Sequence, residues 1–177
     1  MSTDLNEKLL LACSAGDTES ARTLLALGAD VNARDNASPY RHTPLMMSVR
    51  SGHLNTAQYL VESKADLSIQ STRGYTALIE AAWFGREEIL KMLIEAGAEI
   101  DAVNYDGNTA LMEAALMGHA GIVKALLDAG AHPDRMNKEG KTALDLARKD
   151  VIKALIKDRM SIISRIAVTF RKLSRRP

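Results

Sequence analysis

Thr43-Pro-Leu45, Thr76-Ala-Leu78, Thr109-Ala-Leu111 and Thr142-Ala-Leu144 begin 33 residues apart, three times in succession. A fixed period of that length marks a repeat architecture, in which each unit buries its apolar face against its neighbours instead of folding alone. The rest of the chain keeps the same spacing. Gly52, Gly85 and Gly118 each follow nine residues after their threonine, and Leu60-Val61, Leu93-Ile94 and Leu126-Leu127 recur in step, as do Ala65-Asp66, Ala98-Glu99 and Ala131-His132. An earlier copy shows through Gly16, Leu24-Leu25 and Gly28-Ala-Asp-Val-Asn-Ala33. It lies 36 residues ahead of the second, which places a three-residue insertion near Asp35 to Ala37.

Each copy predicts two short helices. Thr76 is suited to an N-cap, its hydroxyl accepting a bond from an unpaired N–H of the first turn. Leu78, Ala81 and Ala82 share one inward face. Gly85 ends this helix, because glycine enters the left-handed region without steric cost. Glu87 and Glu88 then fall in the first turn of a second helix, where they complement its dipole. Ile89, Leu90, Leu93 and Ile94 supply that helix with an apolar stripe, and Gly97 stops it. A polar turn through Asn104, Asp106 and Gly107 leads into the next copy. After Thr142-Ala-Leu-Asp-Leu-Ala147 the chain passes almost directly to Val151-Ile152 and Leu155-Ile156, a shortened unit of the kind that caps a stack.

The pattern resembles the ankyrin repeat. The resemblance covers about residues 5 to 157 and is carried by Thr43-Pro44-Leu45, the Gly52-His53 and Gly118-His119 pairs, and Gly-Ala-Asp-Val-Asn at 28 to 32. It implies an all-α helical-repeat solenoid with β-turn tips. The copies fall near 5–37, 38–70, 71–103, 104–136 and 137–157, with the first and last as caps, and a tail over 158–177 forms a C-terminal amphipathic helix. The chain departs from the family in places. The histidine that follows Thr-Pro-Leu in the family is Met46, Ile79, Met112 and Asp145 here, so the bond it would make is absent. Lys64 stands where a glycine ends the helix, and Arg41 replaces the turn glycine before Thr43, so the junction of the first two copies is irregular.

Composition narrows the function. The chain has 177 residues, a net charge of +1 and a single cysteine, Cys13. One thiol excludes a disulfide framework, an Fe–S cluster or a four-cysteine zinc site, and Cys13 reads as a small buried hydrophobe. No run is long and apolar enough to span a membrane, and acids stand at the N-terminus where a secretory signal would carry positive charge. The expectation is a monomer in a reducing cytoplasm. The histidines are His42, His53, His119 and His132. His53 and His119 occupy equivalent places in two copies, which argues for a structural role. No metalloprotease, nucleophile-elbow or phosphate-loop pattern occurs, so neither an enzyme nor a cofactor is expected.

What the resemblance implies is a protein–protein interaction module (an adaptor, scaffold or inhibitor) that holds an unidentified partner protein in a concave groove. Turn tips and the outer side of each first helix would form that groove. Counting from each threonine assigns Tyr40, His42, Arg50, Arg73, Tyr75, Glu80, Trp83, Phe84, Tyr105, Glu113, Leu116 and Met117 to it. Five of the chain's seven aromatic residues fall there, while core positions are aliphatic. Aromatic residues outside the core, flanked by arginine, favour a binding surface, since Trp, Tyr and Arg anchors carry most interface energy. The competing reading folds Trp83 and Phe84 under a neighbouring loop as satellite core. Glu80 and Glu113 beside Trp83 suggest a partner Lys or Arg over the aromatic, with a methyl-lysine cage as the extreme form. The insertion is expected to push Tyr40 and His42 toward the partner.

Charge is unevenly distributed. Residues 1 to 158 hold 17 basic and 22 acidic residues, whereas residues 159 to 177 hold six basic residues and no acid. Ile162, Ile163, Ile166, Ala167, Phe170 and Leu173 recur at helical spacing, which reads as a basic amphipathic helix. It either covers the end of the last repeat or adheres to an anionic membrane surface. The second role is the alternative function. Nucleic acid is disfavoured, because no base-reading motif accompanies the charge and the acidic body repels phosphate.

Overall fold

The computed structural model describes residues 2–173, with side chains from 4 to 162. Among these residues the chain forms ten helices and no strand. The helices are α1 (Ser2–Ala15), α2 (Thr18–Ala26), α3 (Pro44–Ser51), α4 (Leu54–Glu62), α5 (Ala77–Trp83), α6 (Glu87–Glu95), α7 (Ala110–Met117), α8 (Ala120–Asp128), α9 (Ala143–Leu146) and α10 (Asp150–Leu173). The odd-numbered helices stack in one row and the even-numbered in another.

The threonines start the first helices as expected. Thr43, Thr76, Thr109 and Thr142 each have extended backbone and accept a bond from the amide three residues on. Thr142 and Asp145 close a reciprocal capping box. α3 and α7 end on left-handed Gly52 and Gly118. α5 stops one residue sooner, at Phe84, and Gly85 then takes φ 71°.

A donor from the following repeat satisfies the end of each of the first helices α1, α3, α5 and α7. His53 Nε2 bonds the Ser14 carbonyl at 3.1 Å and His119 Nε2 the Trp83 carbonyl at 3.2 Å. Arg86 donates to the Arg50 carbonyl at 2.8 Å, and Lys149 Nζ to the Gly118 carbonyl at 2.8 Å. Cations and imidazoles suit this position, where unpaired carbonyls carry the negative end of the helix dipole. His53 and His119 are thus structural. At Gly16 and Gly85 an added Cβ would lie within 2.5 and 2.7 Å of these imidazole rings, so the glycines also make room for the donors.

Tips stack through backbone bonds. Thr72 N donates to Tyr40 O, Tyr105 N to Arg73 O and Lys138 N to Asp106 O. Within the tips, Ser71 bonds Tyr75, Asn104 bonds Asn108 and Asn137 bonds Lys141, whereas Asp35 N reaches forward to His42 O. That longer closure is the three-residue insertion. Arg41 and Lys64 adopt φ 51° and 67°, the left-handed conformation that glycine usually supplies.

The core repeats with the period. Leu60, Leu93 and Leu126 are each 0% exposed, and Ala81, Ala82, Ala114 and Ala115 let neighbouring first helices approach closely. Cys13 belongs to this core, and burial pushes its thiol up to about 12. The fifth unit is short: α9 spans four residues, and Ala147 is already extended. α10 then runs without a break across the boundary expected at Lys157. Arg159 bonds Asp128 of α8, and Met160 packs against the core. Ile162 is exposed, and the rest of the expected apolar stripe lies outside the side chains described.

Two substitutions probe this architecture. Leu126→Ala should destabilise the fold by about 2–5 kcal/mol in urea unfolding, with the loss felt through the fourth and fifth repeats. A wild-type midpoint would place Leu126 outside the core. Lys64→Gly should raise stability by up to about 1 kcal/mol, by relieving the left-handed penalty on a side-chain-bearing residue.

Candidate functional site

Because the threonine caps fix where each first helix starts, residues at equal distances from successive threonines become neighbours. His42 precedes Thr43 and reaches Glu80 in the next repeat, Nε2 donating to Oε1 at 3.1 Å. Tyr75 precedes Thr76 and its hydroxyl donates to Glu113 Oε1 at 3.2 Å. Both pairs are 38 residues apart. The same polar link is therefore made twice, with different donors.

These links bury three of the expected residues. His42, Glu80 and Glu113 are 4%, 3% and 1% exposed and spend polar atoms on contacts within the stack. The insertion leaves Tyr40 exposed but turns His42 inward, because the His42 backbone closes the long tip while its ring binds Glu80. Glu80 is further engaged by Arg50, whose NH1 lies 3.4 Å from Oε2. In the next repeat Trp83 takes the place equivalent to Arg50. Glu113 Oε1 there collects Tyr75, Asn104 and Asn108, and Oε2 is buried with no partner. Burial raises the Glu113 carboxyl above its ordinary range, against the lowering effect of those three bonds. Burial, with the Glu113 charge second, pushes the Tyr75 phenol up to about 12, so it stays a donor.

The remaining residues build walls. The Arg73 guanidinium lies 4.8 Å over the Tyr40 ring and that of Arg50 4.8 Å over Phe84. Tyr75 meets Trp83 edge-on at 6.2 Å between centroids. Together with Ser71, eight of the twelve expected residues (Tyr40, His42, Arg50, Arg73, Tyr75, Glu80, Trp83 and Phe84) line one cavity of about 240 Å³. It sits between the second and third repeats. Tyr105, Glu113, Leu116 and Met117, in the fourth, are not among its lining residues; Tyr105 is 58% and Met117 40% exposed. Trp83 and Phe84 are half-buried. A larger depression, about 640 Å³, lies on the end face of α1 and α2 beside exposed Leu11, away from these residues.

Counting from the threonines misses Arg34. It lies on the first tip, is half-buried, and its Nε is buried without a hydrogen-bond partner. Gln70, one repeat later, donates to the Val103 carbonyl from the equivalent place. The only signal for Arg34 was the arginine itself, since the insertion interrupts the period just beyond it.

Glu113 makes stability depend on pH. Its folded-state pKa lies above the ordinary 4.5, so between the two values the native state holds more protons than the unfolded chain. The Glu113 contribution therefore falls as pH rises through that window. Subtracting the urea-unfolding stability of Glu113→Gln from that of wild type, from about pH 4 to about pH 8, should give a difference that declines with pH. A flat or rising difference would show that the buried carboxyl is not penalised.

Comparison with known proteins agrees with this geometry. The ankyrin-repeat family, in three copies, matches residues 9–104, and its many-copy form matches residues 84–127. A probable E3 ubiquitin-protein ligase of Oryza sativa subsp. japonica is 33% identical over 85 residues, 48% of this chain and 17% of that protein. A transient receptor potential cation channel subfamily A member 1 homolog of Caenorhabditis elegans is 37% identical over 86 residues, 49% of this chain and 7% of that one. The ankyrin repeat and SAM domain-containing protein 6 of Mus musculus is 48% identical over 50 residues, 28% of this chain and 6% of that one. The chain thus spans less than a fifth of the length of these relatives. With the 33-residue period, the capped helix pairs and the stacked tips, the match over more than half of its residues shows that this chain belongs to the ankyrin-repeat family.

Proposed function

We propose that this chain binds a partner protein through the surface around the cavity between its second and third repeats, and acts as an adaptor, scaffold or inhibitor. Ankyrin repeats are generally protein-interaction modules, and no catalytic group is assigned to this chain. The observation that carries the reading is the cluster of Tyr40, Arg73, Tyr75, Trp83 and Phe84 around that cavity. Each is half-buried or exposed, although the leucines and alanines of the stack already fill the core. Aromatic and arginine side chains left partly open in this way are the residue types that anchor interfaces.

For the tail, the bonds and packing of Arg159 and Met160 support a capping role for its first turn.

Trp83 is the only tryptophan, so its fluorescence reports on this surface alone. Acrylamide should quench it in the unbound protein, and a bound partner should shield it. Trp83→Ala with Phe84→Ala should weaken partner binding by about 2–4 kcal/mol while shifting the melting temperature little. If the double variant unfolds and Trp83 resists acrylamide, these aromatic side chains serve the core and the reading fails.

A further inference from the structure

The surface around the cavity is rich in arginine. Arg34 and Arg41 on the first tip and Arg73 on the second form no ion pair among the described residues. The acids on these two tips, Asp30, Asp35 and Asp66, accept amides of their own turns, from Asn32, from Ala37 and Ser38, and from Ser68. Arg34 is close enough to Arg41 to feel its charge and lies near the Tyr105 phenol, while Tyr105 N bonds the Arg73 carbonyl. Burial first, and Arg41 second, disfavour the Arg34 charge. Like charges gathered this way are relieved by an anion from outside.

The cavity beside them has the same preference. Its one carboxylate, Glu80, is 3% exposed and already held by His42 and Arg50, so it does not attract a partner's cation. The Arg50 side chain is 37% exposed, with its guanidinium over the Phe84 ring, and that of Arg73 lies over Tyr40. Arg50 NH1 is engaged by Glu80, which leaves its other donors, and those of Arg73, for a planar carboxylate. A volume of about 240 Å³ is below the ~300–1,000 Å³ of small-molecule sites and suits a side chain or two of a bound segment.

We propose that this cavity recognises an acidic segment of a partner protein, seating an Asp or Glu carboxylate between Arg50 and Arg73 and an adjacent apolar side chain against Trp83 and Tyr75. This deepens the groove-binding reading and rests on it. A methyl-lysine or arginine ligand is replaced by its opposite in charge. The chain's own residues 159 to 177 are not the occupant, since their six charges are all basic. The net negative charge of residues 1 to 158 disfavours an extended polyanion such as nucleic acid, but not a short segment that meets only this patch.

The test uses the full chain. A displayed library of random short peptides is selected against it. Trp83 fluorescence is then titrated with a peptide alternating Asp and Leu, with its Lys-for-Asp counterpart, and with single-stranded oligothymidylate. The selected peptides should be enriched in Asp and Glu beside an apolar residue. The acidic peptide should change Trp83 emission saturably, more weakly as salt rises, and the Lys counterpart should not. Arg73→Gln and Arg41→Gln should each weaken the acidic peptide about tenfold or more at unchanged melting temperature, with Arg73→Lys restoring part of the loss. Selected peptides that perturb Trp83 but lack acidic residues would leave groove binding standing and overturn the charge preference. Equal binding of the Lys peptide, or no effect of the arginine variants, would overturn it as well. Oligothymidylate that binds in an Arg73-dependent manner, with no binding of the acidic peptide, would assign the patch to nucleic acid. No saturable change with any peptide would remove both readings.

Discussion

The first helices α1, α3, α5 and α7 end on carbonyls that accept a donor from the next repeat. His53, Arg86, His119 and Lys149 reach back 39, 36, 36 and 31 residues to do so. A helix end buried without partners is costly, so this bond ties the register of one repeat to the position of the one before it. Threonine caps fix the opposite end of α3, α5 and α7. With both ends set, helix rotation is no longer a variable, and residues at equal offsets line up across repeats. The aliphatic core then follows, because the same leucine and alanine places face one another in every pair.

Register also decides what the concave side can present. The residue before each threonine and the fourth residue after the next one are brought together by the stack. The chain fills those places with His42 and Glu80 and then with Tyr75 and Glu113. A carboxylate so placed is sheltered from water and must be satisfied by donors. Where Arg50 is present, both oxygens of Glu80 have partners; where Trp83 takes its place, Glu113 keeps one oxygen unpaired. The exchange of arginine for tryptophan between neighbouring repeats leaves an indole beside the cavity and a buried carboxylate oxygen without a partner in the next repeat. The same place in the repeat therefore bears on both the proposed interface and the pH dependence of stability.

The fold was legible in the sequence because a motif that recurs four times at one period overrides the ambiguity of any single segment. The caps, the shortened last unit, the insertion and the two residues standing in for glycine all followed from comparing copies, and Arg41 and Lys64 do adopt positive φ. The groove residues were legible to the extent that counting from a threonine identifies a helix face. Burial was not. Glutamate reads as exposed by its type, and Glu80 and Glu113 are hidden only because a donor 38 residues earlier meets each of them. The recurrence of that offset with a polar residue at each end was the available signal. Arg34 was missed for a different reason: it abuts the insertion, where the period lapses.

The cavity lies where the stack is least regular. The lengthened tip contributes Tyr40 and His42 to it, yet the Tyr40 carbonyl still accepts the Thr72 amide, as Arg73 and Asp106 do for their successors. Stacking is thus carried by backbone bonds that do not depend on tip length. Side chains on the tip are released from the period, and Tyr40 can extend to Arg73. The left-handed Arg41, at a cost of about 1–2 kcal/mol relative to glycine, adds a guanidinium to this edge that glycine could not supply. Strain held at a surface position by an otherwise regular scaffold points to a use for the side chain that causes it. Here that side chain adds to the arginine charge around the cavity, so the irregularity of the first junction and the chemistry of the proposed binding surface have one origin.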